Sequence, residues 1–244
     1  MPHPDSENPK ENATNEVASQ ASLELTDQER PLAPVDERTV EREPDALEQV
    51  ADLVSRGEMS AALTTVRALI AREPANPRAR AVLAGLLEKR GDVEGALVEL
   101  GRALDSAPDD VPILCARATV LASRARYDQA EVDLRRAVRI SPRSPEVQVQ
   151  LGILFSKRAR WREAIEPLLA AVAADPNHGD ARFYLGEAYN HIDDLPAALA
   201  AYEAAAKLQP SSMRALKGIG IVLDRLGRPV EAAAAYRRAR ETPR

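Results

Sequence analysis

Residues 145–178 read PEVQVQLGILFSKRARWREAIEPLLAAVAADPNH. Two segments in this stretch carry apolar residues at helical spacing, roughly Pro145 to Arg158 and Arg162 to Ala174. A basic run around Lys157 and Arg160 separates them, and Pro176 closes the stretch. Stepping 34 residues in either direction finds the same features. Prolines stand at Pro74, Pro108, Pro142, Pro176 and Pro210, each 34 from the next. Alanines stand at Ala62, Ala96, Ala130, Ala164, Ala198 and Ala232, also 34 apart and in the same phase. Two residue types sharing one period mark an internal repeat.

With the periodic proline set at position 32, the units are 43–76, 77–110, 111–144, 145–178, 179–212 and 213–244. Position 8 is small at Ala84, Ala118, Gly152, Gly186 and Gly220, with Val50 the exception. Position 11 is large and apolar, as Leu53, Leu87, Leu121, Phe155, Tyr189 and Leu223. Position 24 is Val66, Leu100, Leu134, Leu168, Tyr202 and Tyr236. Small side chains at 8 and 20 let two helices approach, and the large ones at 11 and 24 fill the flanking space. The proline ends the second helix of each unit, because it drives the residue before it out of the helical region. Gly57, Gly91 and Gly227 at position 15 supply the positive φ of a helix end. Arg56, Arg90, Arg124 and Arg158 at position 14 read as cations favoured near a helix C-terminus, not as a binding stripe.

A 34-residue unit with small residues at 8, 20 and 27, large ones at 11 and 24 and proline at 32 resembles the tetratricopeptide repeat. The resemblance covers residues 43–244. It implies an all-α, right-handed superhelical solenoid of antiparallel helix pairs, with residues 44–244 as the repeat domain. The tryptophan often found at position 4 is absent. The last repeat turns polar or small at Arg240 and Ala233, and the first has Asp52 where later repeats are mostly apolar. Both ends therefore read as capped, and the array as complete.

Residues 1–43 hold eleven acidic and four basic residues, so they carry −7 of the net charge of −5 and leave +2 on the rest. Five prolines and few large apolar side chains predict a disordered acidic tail. Within it, Val17 to Leu25 is a candidate short motif, although an inert solubilising tail is the simpler reading. The acidic balance argues against nucleic acid as a partner. No apolar run is long enough to span a membrane, and no basic-then-apolar amino terminus reads as a signal peptide, so the expected compartment is cytoplasmic. Twenty-eight of the 33 basic residues are arginine, a bias expected of a GC-rich bacterial genome.

Three histidines and one cysteine give no metal-ligand spacing, and neither a phosphate loop nor a nucleophile elbow is present. Cys115 reads as a small buried residue. The expectation is a protein that is not an enzyme, needs no cofactor and works by binding other proteins. Weak self-association is left open. The resemblance implies that the first helices of the pairs line a concave surface through positions 2, 5, 9, 12 and 13. On that basis the partner groove includes Val149, Ile153 and Lys157 in the fourth repeat, Phe183, Glu187 and Asn190 in the fifth, and Lys217, Ile221 and Asp224 in the sixth. Phe183 suits a groove anchor and a packing residue equally. Arrays of this family that clamp a terminal carboxylate have asparagine at position 9 after lysine at 5. Here Lys217 is followed by Ile221, and no repeat has that asparagine. An asparagine ladder at position 6 is missing too. The leading expectation is an adaptor or scaffold that binds a peptide or helix of its partner. The alternatives are an assembly factor for a bacterial envelope machine such as a pilus or secretion system, and a non-catalytic accessory subunit of an enzyme.

Overall fold

The computed structural model describes residues 45–242. The acidic tail and its expected disorder lie outside the described residues. Twelve α-helices and no strands are found among the described residues. They alternate as first and second members of six antiparallel pairs. The first members, or A helices, are α1 (Ala46–Ser55), α3 (Pro77–Lys89), α5 (Val111–Ser123), α7 (Pro145–Lys157), α9 (Gly179–His191) and α11 (Met213–Arg225). The second members, or B helices, are α2 (Met59–Arg72), α4 (Val93–Ser106), α6 (Tyr127–Ile140), α8 (Trp161–Ala174), α10 (Leu195–Leu208) and α12 (Pro229–Glu241).

Local chemistry marks most of the helix ends. Asn76, Asp110, Ser144, His178 and Ser212 at position 34 each accept a hydrogen bond from the backbone N–H three residues on, capping the next A helix. His178 does this through Nδ1, at 3.3 Å from Ala181 N. Each A helix ends with the residue at position 15 in the left-handed region. The N–H at position 16 bonds back to the carbonyl at position 11, and that at 15 to the carbonyl at 12, as in Asp92 N to Leu87 O at 2.9 Å and Gly91 N to Glu88 O at 2.8 Å. Gly57, Gly91 and Gly227 have φ of 77°, 84° and 73°, as their sequence predicts. Ala125, Ala159 and Asp193 adopt the same conformation at φ of 57°, 56° and 67°, despite the Cβ penalty. After each of the first five B helices the residue before the proline leaves the helix, with φ of −129° to −135°.

The position 24 side chain lies against position 8 of the same repeat. A Cβ on Gly152 would stand 2.5 Å from Leu168, on Gly186 2.7 Å from the Tyr202 ring, and on Gly220 2.5 Å from the Tyr236 ring. The alanines at position 20 are buried to 1% exposure or less. Position 4 has a job of its own. The side chains of Arg80, Gln148 and Arg182 donate to the carbonyls of Pro74, Pro142 and Pro176, fastening the loop between repeats to the helix that follows it. Pro167 sits inside α8, so the carbonyl of Glu163 lacks its helical N–H partner.

From α3 onward, each A helix touches the A helix of the next repeat, whereas no two B helices approach as closely. The array therefore curves with its A helices on the inside.

Candidate functional site: the concave face

The inner curve collects the A-helix side chains that point away from the B helices. The sequence-derived groove residues divide there into two sets. Val149 and Phe183 are buried, at 5% and 9% exposure. Phe183 packs beside Tyr202 and is roofed by the Arg214 guanidinium, 4.7 Å from its ring centroid. Ile153 is half-buried, while Lys157, Lys217, Ile221 and Asp224 are exposed, Ile221 to 46%. The apolar surface offered on the inner face is thus that of Ile153 and Ile221. Ser156, at a groove position by sequence, is buried and donates to Gly152 O at 2.9 Å. His191 stacks on Trp161 with ring centroids 3.8 Å apart.

Many polar groove residues are engaged within the array. The Tyr202 ring passes between Gly186 and Gly218, and its hydroxyl donates to Glu187. Burial, with the hydrogen bond to Glu187 and its charge, pushes that phenol above its usual range. Tyr236 donates likewise to Asp224 at 2.9 Å. Arg225 donates to Asn190 and pairs with Asp193, and Arg214 pairs with Asp180 at 3.2 Å, so both tie the sixth repeat to the fifth. Lys157 and Lys217 form no ion pair among the described residues.

A second set of charges was not singled out from sequence. Asp133 is 4% exposed and accepts both Nε and Nη2 of Arg117, at 2.7 and 2.6 Å. Glu99 is buried between Arg80 and Arg102, each at 2.6 Å. Glu131 interrupts an otherwise apolar position 21, and it accepts from Arg158 and Arg160 of the next repeat and from Arg135 of its own helix. Arg158, one member of the arginine column, therefore links two repeats as well as capping α7. Cys115 is buried, and desolvation together with the Asp133 charge pushes its thiol up to about 11.

Two sequence models described as "Tetratricopeptide repeat" match the chain, one at residues 149–207 and 192–244, the other at residues 53–117. Together they span more than half of it. The chain belongs to the tetratricopeptide repeat family. Solved structures with the same fold include MamA from Desulfovibrio magneticus, with 22% identity and a TM-score of 0.64 over 68% of this chain and 94% of that one. A second is YrrB, described as a TPR protein with an unusual peptide-binding site, with 20% identity and a TM-score of 0.59 over 71% and 90%. A third is PilF from Pseudomonas aeruginosa, with 18% identity and a TM-score of 0.70 over 78% and 86%. No curated protein matches the chain. As a tetratricopeptide array it has the architecture of a protein–protein interaction scaffold. No helix among the described residues is long and apolar enough to cross a membrane.

Proposed function

We propose that this tetratricopeptide array holds an extended peptide or a helix of a protein partner along its concave face, and that it acts by binding and not by catalysis. One observation carries the reading. On the inside of the curve, Ile153 and Ile221 present apolar surface beside Lys157 and Lys217, which are exposed and form no ion pair among the described residues. Apolar anchors flanked by exposed charge suit a peptide, which needs burial for affinity and ionic contacts for register. Glu187, Asn190 and Asp224 shape the path but are partly committed to Tyr202, Arg225 and Tyr236. Val149 and Phe183 support it from beneath, and Phe183 becomes an anchor where a ligand displaces Arg214. The cytoplasm is the compartment we assign.

The test is photo-crosslinking from a benzoylphenylalanine placed at Lys217, followed by mass spectrometry and an affinity measurement on the captured partner. Ile153→Ala with Ile221→Ala is expected to weaken that affinity about ten-fold, the loss of a little over 1 kcal/mol of apolar contact. Unchanged affinity in the double variant would overturn the groove.

A further inference from the structure

Between α5 and α7 the concave face opens into a recess of about 150 Å³. Its walls are Ala118, Thr119 and Ala122 from α5 and Gln150, Ile153 and Leu154 from α7, with Leu134 of α6 behind and Lys157 at the edge. The two later joints close the equivalent space in different ways. Position 6 of the following A helix is Tyr184 at the next joint, and at the joint after that Tyr202 fills the gap left by Gly218. At the third joint position 6 is Gln150, facing small residues at positions 8, 9 and 12.

Gln150 Oε1 is the one buried side-chain polar atom among the described residues that accepts no hydrogen bond. The hydroxyl of α5 that lines the recess, Thr119 Oγ1, donates to the carbonyl of Cys115 at 3.0 Å. Gln150 lines the recess while its amide oxygen lies buried and unpartnered, a costly arrangement that a donor brought by a ligand relieves once the amide turns toward it. Lys157, exposed and without an ion pair among the described residues, adds a positive charge at the rim.

We infer that this recess is the pocket that sets the register of the bound peptide, and that it takes one aliphatic side chain with an aspartate or glutamate within two residues of it. The inference rests on the concave-face reading above. A volume near 150 Å³ accepts a group of benzene or isobutyl size. The peptide backbone N–H next to that side chain donates to Gln150 Oε1 after a small rotation of the glutamine. The acidic neighbour meets the Lys157 ammonium.

The experiment is selection of binders from a random twelve-residue peptide display library on the full-length protein, followed by affinities of the selected synthetic peptides for variants. The expected result is a shared Leu, Ile or Val flanked by Asp or Glu. Ala122→Phe, which fills the recess from its open side, is expected to weaken binding at least ten-fold with an unchanged melting temperature. Lys157→Glu, an exposed change without folding consequence, is expected to remove the acidic preference. Peptides that lose affinity with Ile221→Glu but not with Ala122→Phe or Lys157→Glu would overturn the pocket and leave the groove standing. Peptides indifferent to all three variants, or no peptides at all, would overturn both.

Discussion

In the first four repeats the side chain that fills the crossing of the two helices is aliphatic, as Val66, Leu100, Leu134 and Leu168. In the fifth and sixth it is Tyr202 and Tyr236, lying over Gly186 and Gly220. The apolar core follows this division. One cluster runs from Val50 to Leu168 and takes in Leu185, Ala188 and Ala201 of the fifth repeat, another runs from Phe183 to Ala239, and Val149, Ala171 and Ala181 form a small third one where the fourth and fifth repeats meet. The early repeats add buried carboxylates, Glu99, Glu131 and Asp133, each held by arginines. In the late repeats phenol hydroxyls take the place of those buried carboxylates, reaching from one helix of the pair to Glu187 and Asp224 on the other, while the ion pairs of Arg214 and Arg225 lie nearer the surface. The contrast shows that one 34-residue frame tolerates two interiors, provided position 8 shrinks as position 24 grows. It also shows why the inner face differs along its length: in the late repeats the core itself reaches the groove.

The sharpest way to break this division is Tyr202→Ala. Loss of a fully buried ring is expected to cost about 3–5 kcal/mol. Because repeats interact with their neighbours, hydrogen exchange should rise in α9 to α12 and stay low in α3 to α6. An even rise across all helices would mean a single undivided core. Next in size is Arg117→Ala, which strands Asp133 in the interior and is expected to cost about 2–3 kcal/mol by chemical denaturation, toward the low side for a buried pair because Arg117 keeps some solvent. Arg117→Leu with Asp133→Leu should recover most of the loss. If it does not, the pair contributes more than its own neutrality.

Smaller effects test the turns shared by both regions. Ala125→Gly and Ala159→Gly each place glycine where φ is positive, and each is expected to stabilise by about 0.5–1 kcal/mol, read as a raised melting temperature. The smallest effect concerns Cys115. With its thiol pushed up to about 11, the thiolate is scarce at pH 8, and iodoacetamide should label the native chain slowly and the unfolded chain fast. Fast native labelling would mean that the region around Asp133 opens readily.

The helix pairs were legible because their causes are periodic. The helices of the quoted repeat fall within one residue of the bounds read from spacing, and Gly57, Gly91 and Gly227 take the conformation their column required. That column also implied the same turn at Ala125, Ala159 and Asp193, but residue type alone does not reveal that alanine would accept the strain. The capping residues Asn76, Asp110, Ser144 and Ser212 are good helix starters at position 34 of their repeats, interrupted only by His178, so that signal lies in the sequence. The buried carboxylates were not legible. Asp133 and Glu99 look like any surface charge until the arginine opposite is placed, and Glu131, although it breaks the apolar column at position 21, does not by itself say which arginines it meets. The concave residues lie between these cases. Their positions followed from the repeat register, but the burial of Phe183 is decided by Arg214, which arrives from the next repeat.

The links between loop and helix at position 4 have a mechanical consequence. Arg80, Gln148 and Arg182 each clip the preceding loop, so the joints entering repeats two, four and five are braced. Repeats three and six have Leu114 and Leu216 at that place, which have nothing to clip with. The joint entering the sixth repeat is held instead by Arg214, Arg225 and the Tyr202 ring. Under tension or an oversized ligand, strain should therefore concentrate at the joint after the second repeat, and the array would deform as two stiff blocks about that joint, not as a uniform spring.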